Sequence, residues 1–325
     1  MNHRNLLHAA ALSVLAVLAA CGPRKAAPAP APQARSFPKP DIPAIYQDMG
    51  ERTEYLVAHF WDKFTDTTQC FAGDTTMVNG VHREELEGKM SLFATLASQV
   101  SQESGVQAMA RLYDRVEAYE RKHPEAGMYK AVMALTERYF YDPQSPLRNE
   151  DLFQGVAARM AVSDLVPEAR HAHYDFVARM ALLNRVGTRA ADFRFIDSKG
   201  RLRTLYGVEA EHLILIFGNP DCPACRDLVA AMDGSLPVTE RIADGRLKVL
   251  DVYIDEEIDE WKAHLADYPK TWINGYDPTH TLRADLTYNV RAIPSIYLLD
   301  RDKTVLLKDV PQERLMHYLT YKASL

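Results

Sequence analysis

Four cysteines in 325 residues are too few to staple a chain of this length, so buried cores rather than a disulfide framework must hold it together. Basic charge is also in short supply. Lys and Arg total 38 against 44 Asp and Glu, a formal net charge of -6. No Lys/Arg-rich segment or basic stripe occurs, which argues against a nucleic-acid partner. Past Ala20 no stretch is long and apolar enough to read as a membrane span. A sustained internal repeat is missing too, so a solenoid is not implied. What is left is a mildly acidic, ordinary globular composition with room for two domains, each with its own core.

Residues 1–20 stand apart. Arg4 gives a weakly positive start, and an apolar run from Ala9 to Ala20 closes on Leu18-Ala19-Ala20-Cys21-Gly22. The run is too short for an ordinary transmembrane helix, which favours a cleaved signal peptide. Its closing residues resemble the lipobox of bacterial lipoproteins. The resemblance implies removal of residues 1–20 and lipidation of Cys21, which would anchor the protein in the membrane by lipid. An ordinary secretory signal with an incidental cysteine is the alternative. Either reading places the protein outside the cytoplasm, and the first expects it in the cell envelope facing the periplasm, on the inner or the outer membrane. Gly22–Pro40 holds six prolines and no apolar periodicity. Residues 21–40 are therefore expected to form an extended tether, about 60 Å long at roughly 3.1 Å per residue.

From 41 to 185 the pattern is helical. Ile45, Met49, Leu56, Phe60 and Phe64 share one face with Tyr46, Val57 and Trp61. Amphipathic stretches follow at His82–Ser101, Gly105–Lys122, Pro124–Tyr141 and Pro167–Asn184, punctuated by Pro124, Pro143, Pro146 and Pro167. This predicts an all-α helical domain of five or six helices. Phe60, Trp61, Tyr139, Phe140 and Tyr141 read as core rather than a ligand cage. Cys70 is expected to be a buried small hydrophobe; an exposed position would suggest intermolecular pairing.

From 186 to 325 the character changes. Asp192–Asp197 and Arg201–Tyr206 alternate around Ser198-Lys199-Gly200, a hairpin pattern. Leu213–Phe217 and Leu247–Ile254 are continuous apolar runs, as strands buried on both faces would be. Ser295–Leu299 and Val305–Leu307 are further strands. Helices are expected at Arg226–Met232, Glu256–Leu265, Thr279–Leu286 and Pro311–Ala323. The order predicts an α/β domain with a mixed central sheet and helices on both faces. The acidic run Asp255–Glu260 reads as a solvated helix start.

Cys222-Pro223-Ala224-Cys225 lies between the Leu213–Phe217 strand and the helix after it. Two thiols at that spacing can form a reversible disulfide. A helix N-terminus offers unpaired N–H groups and a positive dipole end, which favour the thiolate that acts as nucleophile in exchange. Pro223 suits the first helical turn. The same spacing is also half of a zinc site. No second CxxC and no HxxxH accompany it, and His171 and His173 are two apart on a helix, facing different ways, so no metal and no cofactor are expected. Pro294, just before a strand, is the second unusual residue, because proline removes a ladder donor.

CPAC after an apolar strand, together with Ile293-Pro294 before the last strand pair, resembles the thioredoxin superfamily. The preceding hairpin, the long insert between Val252 and Pro294, and Gly275-Tyr276-Asp277-Pro278 and Tyr288-Asn289-Val290 narrow this to the TlpA/ResA group of extracytoplasmic thiol–disulfide oxidoreductases. The helical region resembles a domain of unknown function that precedes such domains in certain lipoproteins. The resemblance implies that Cys222 is the nucleophile and Cys225 the resolving thiol. It also implies a cis Pro294, with the Ile293 backbone pairing with an incoming peptide as an added strand. Partners would be protein or small-molecule disulfides and thiols, with a membrane electron donor.

Two departures stand out. The acid that thioredoxin keeps six residues before its first cysteine is Ile216 here, and the TlpA/ResA acid six residues after it is Leu228. Asp221 and Asp227 flank the motif and could substitute through water; the plainer reading makes Asp221 a solvated loop residue and Asp227 a first-turn acid. Pro-Ala between the cysteines brings no cation beside Cys222, which favours the reducing direction. Asn219 stands where a peroxiredoxin needs threonine, and the spacing of copper-delivering relatives is absent. The rival to a redox enzyme is a binding or scaffold lipoprotein with a structural CxxC. A weaker third reading is an isomerase.

Overall fold

The computed structural model describes residues 33–71 and 74–322. The signal peptide, Cys21 and the tether up to Pro32 lie outside the described residues.

Among the described residues six α-helices build the first unit: α1 (Met49–His59), α2 (Arg83–Ala97), α3 (Gln102–Lys122), α4 (Met128–Thr136), α5 (Glu150–Met160) and α6 (His171–Ala181). Asp48, Ser101 and Asn149 cap α1, α3 and α5, each accepting a backbone N–H of the first turn. Helix α5 falls outside the predicted stretches, hidden behind the Pro143–Pro146 punctuation. One element is not helical. Strands β1 (Met77–Val78) and β2 (Val81–His82) form a small hairpin whose turn, Asn79-Gly80, has both residues at positive φ.

The core gathers Phe60, Trp61, Phe64, Phe93, Phe140 and Phe153. Ile45 and Met49 do not join it. They are 79% and 76% exposed, because α1 begins only at Met49 and its inward face starts at Val57. The tether also ends earlier than its composition suggests. Phe37 is buried against Phe60, Trp61 and Phe64 with ring centroids 5.3–5.7 Å apart, and the Arg35 N–H donates to the Gly80 carbonyl at 2.8 Å. Cys70 is exposed rather than buried, since it sits in the loop after α1 and not on a helix face.

The second unit runs β3 (Arg194–Asp197), β4 (Leu202–Thr204), β5 (His212–Gly218), α7 (Pro223–Asp233), α8 (Leu236–Ala243), β6 (Leu247–Tyr253), α9 (Ile258–Ala263), β7 (Ile273–Tyr276), α10 (Thr281–Ala284), β8 (Ser295–Asp300), β9 (Val305–Leu307) and α11 (Gln312–His317). Its seven described strands form one mixed sheet in the order β4-β3-β7-β6-β5-β8-β9, with β5, β6 and β7 parallel. Strand β5 is buried on both faces. Leu213, Leu215 and Phe217 pack on the side of Leu282 and Tyr288, while Ile214 and Ile216 pack under Leu228, Met232 and Leu315. Period-2 alternation between two apolar layers explains its unbroken apolar run. Strand β7 and helix α8 were not predicted. Gly275 in β7 is required by close approach, because a Cβ there would stand 2.5 Å from the Phe195 ring. Among the described residues no helix is long and apolar enough to cross a membrane.

Candidate active site

Strand β5 ends at Gly218, and four residues later Cys222 caps α7, with Pro223 in its first turn. The loop between them is tied from both sides. Asn219 accepts the Asp221 N–H through its side chain at 2.8 Å and donates to Asp255 at 2.7 Å, and Asp255 in turn accepts from Arg283 at 2.9 Å. Asp255 thus belongs to the support of the site and is not merely solvated.

Cys222 is half-buried and Cys225 is buried; both are free thiols. The Cys225 N–H donates to Cys222 Sγ at 3.3 Å, placing a helix-start donor on the accessible sulfur. Cys222 Sγ also approaches the Ile293 carbonyl at 3.6 Å, and the Ile293–Pro294 peptide is cis. The chain therefore brings together Cys222, Cys225, Ile293 and Pro294, which lie far apart in sequence.

The two positions at which the sequence resemblance expects an acid are apolar and buried: Ile216 and Leu228 are each 1% exposed. Asp221 is exposed, 3.7 Å from His264. Asp227 is exposed as well, in the second turn of α7 rather than the first, because the helix starts at Pro223. A third acid was missed in the sequence. Asp251 lies at the middle of β6, directly opposite Ile216 in the parallel ladder, and its Oδ1 has no hydrogen-bond partner among the described residues. Burial raises its pKa to about 7. Asp251 Oδ2 and Cys225 Sγ each lie 3.5 Å from the point a Cβ on Gly218 would occupy, so the missing side chain opens a gap that both groups face. Burial pushes the Cys225 thiol up, helped by its hydrogen bond with Cys222 and by the charge of Asp251. The signal was an acid set between apolar neighbours in the middle of a strand, Leu250-Asp251-Val252.

Behind Pro294 the two units meet through buried charge. Glu150, at the start of α5, pairs with Lys308 at 2.8 Å and Arg291 at 3.3 Å, and accepts from Asn289. Arg291 also pairs with Asp309 at 3.0 Å, donates to the Tyr141 carbonyl and stacks over the Tyr141 ring. Asp309 accepts the Ser295 hydroxyl at 2.9 Å. Residues 289–295, which carry Pro294, are therefore bonded to the helical unit as well as to their own sheet.

A family model described as "Domain of unknown function (DUF5106)" matches residues 19–184. A thioredoxin-like protein from Bacteroides caccae is 31% identical, with a TM-score of 0.73 over 89% of this chain and 100% of that one. The C-terminal domain of an uncharacterized protein from Bacteroides fragilis is 42% identical over 42% of this chain and 98% of its own, with a TM-score of 0.41. The thioredoxin domain of a thiol-disulfide oxidoreductase from Bacteroides vulgatus is 20% identical over 42% and 98%, with a TM-score of 0.35. No curated protein matches the chain. The helical unit and the sheet unit are thus matched together, in one relative and over its whole length, and the chain belongs to the thioredoxin-like proteins that carry an N-terminal DUF5106 domain.

Proposed function

We propose that this protein is a thiol–disulfide oxidoreductase of the cell envelope, of the TlpA/ResA type, working in the reducing direction. The observation that carries the reading is the vertical arrangement of the two thiols. Cys222 is accessible at the N-cap of α7, Cys225 is buried below it, and a buried carboxylate stands beside Cys225.

The Cys222 thiolate attacks a client disulfide, forming a mixed disulfide and expelling the first client sulfur as thiolate. Asp251 in its carboxylate form takes the Cys225 proton. The Cys225 thiolate then attacks Cys222 Sγ, closing the Cys222–Cys225 disulfide and releasing the second client sulfur. Both released thiolates take up protons, so the client gains two electrons and the protein loses two. A membrane electron donor restores the dithiol. Asp251 takes the part that the notional acids at 216 and 228 cannot, and its raised pKa suits a base near neutral pH. The Pro-Ala dipeptide supports the reducing direction by adding no cation beside Cys222. The Ala20-Cys21 junction supports a lipid anchor on Cys21.

Equilibration with glutathione buffers tests the redox reading. A potential well above about -300 mV marks a working couple, and one far below it marks a structural disulfide. Cys225→Ala should accumulate mixed disulfides with client proteins through Cys222; failure to trap any would count against the mechanism.

A further inference from the structure

Next to Cys222, where the two units meet, runs a groove of about 270 Å³. One wall comes from the helical unit, through Pro143, Pro146 and Arg148; the other comes from α7 and the Ile293-Pro294 segment. The helical wall is preset. Its two prolines fix φ, the Ser145 hydroxyl donates to the Tyr139 carbonyl at 2.7 Å, and the Leu147 N–H donates back to Ser145 Oγ at 3.2 Å. On the facing wall the Ile293 N–H has no hydrogen-bond partner among the described residues.

The charge in the groove has one sign to spare. Its one basic lining residue, Arg148, is engaged with Asp309, donating to that residue's carbonyl at 2.9 Å and pairing with its carboxylate at 3.7 Å. Asp309 is in turn held by Arg291 and Ser295. That leaves Asp227 and Glu313, both exposed, lining the groove without a hydrogen bond or ion pair among the described residues. Glu313 is near enough to strengthen the hold of Arg148 on its proton, yet makes no pair with it.

We infer that this groove is a recognition site for an extended polypeptide segment of a disulfide-bearing client, with a lysine or arginine close to the client cysteine. The inference rests on the redox reading above. The backbone of such a segment pairs with the free Ile293 amide as an added strand. Its side chains lie between the proline wall and Ile296, and its cation meets Asp227 and Glu313. On this view the helical unit is half of the client-binding site, and it selects unfolded or unstructured substrate.

The test uses the pre-reduced full-length protein in single turnover. Its substrates are short peptides bearing one cysteine as a mixed disulfide with 2-mercaptoethanol, flanked by Lys or by Glu. Wild type should reduce the Lys peptide about 10-fold faster than the Glu peptide, and the ratio should collapse toward 1 in high salt, as exposed pairs do. In the Asp227→Lys/Glu313→Lys variant the ratio should fall to 1 or invert; because both peptides are compared within one preparation, a general loss of activity cancels. A ratio near 1 in wild type, or one insensitive to salt, overturns the inference. Reduction of neutral bis(2-hydroxyethyl) disulfide by wild type is the separate control. If that fails, the redox reading falls; if it succeeds while the peptide ratio stays at 1, only the groove assignment falls.

Discussion

At the scale of single residues, Asp251 decides how the site runs. It is 3% exposed, and its pKa of about 7 lies far above that of the unfolded chain, near 4. The folded state therefore binds a proton more tightly than the unfolded state does between those values. The contribution of Asp251 to stability is greatest below about pH 4 and declines as pH rises to about 7, by at most about 4 kcal/mol. Asp251→Asn removes that dependence. Urea unfolding should show the variant close to wild type at low pH and more stable at pH 8. Kinetics should move the other way: resolution of a trapped mixed disulfide should slow about 100-fold, and the inflection near pH 7 should vanish. A variant that keeps the inflection would show that another group takes the Cys225 proton. The two cysteines and Pro294 were legible in the sequence because their spacing is local or their type is rare. Asp251 was not, because its role comes from strand pairing: the parallel register sets it beside Ile216, and no linear spacing announces that.

At the scale of elements, the segment before β8 is held by α5. Glu150 is buried, and burial raises its pKa against the pull of Lys308 and Arg291. Removing Glu150 leaves Lys308 buried without its ion-pair partner and takes one of its two carboxylates from Arg291. Glu150→Ala should therefore destabilise the protein by about 3–5 kcal/mol, measured by chemical denaturation. Glu150→Gln keeps the shape and should still loosen Arg291, three residues before Pro294, so client exchange should slow more than reduction of a neutral small disulfide. Equal slowing of both would assign the network to stability alone. Every strand of the sheet but β7 was readable, β3 and β4 from alternation and β5 and β6 from unbroken apolar runs, and most helices from their periodicity. Helix α5 was obscured by the prolines before it, although Asn149 with Glu150 and Asp151 after it is a helix-start pattern. Strand β7 escaped because Asn274 and Gly275 interrupt its apolar character, and only the Phe195 ring explains the glycine.

At the scale of the whole molecule, two cores divide the chain between Ala178 and Ala190, and the charge network bridges them. The division of labour between tether and fold was misplaced by composition. Proline content cannot tell a free spacer from a docked one, and Phe37 alone carries the difference. The anchor proposed on Cys21 is open to a direct check. Cys21→Ser should move the protein from the membrane fraction to the soluble fraction and abolish palmitate incorporation; retention in the membrane would reject lipidation at that residue.

Phe37 has a further consequence. With Arg35 and Phe37 seated in the helical unit, the leash from a lipid on Cys21 comprises only the residues up to Arg35. Fully stretched at roughly 3.3–3.6 Å per residue, it cannot exceed about 50 Å. The protein would then patrol a shallow layer above its bilayer, and both its clients and its electron source would have to come within that leash plus the span from Arg35 to Cys222 to be served.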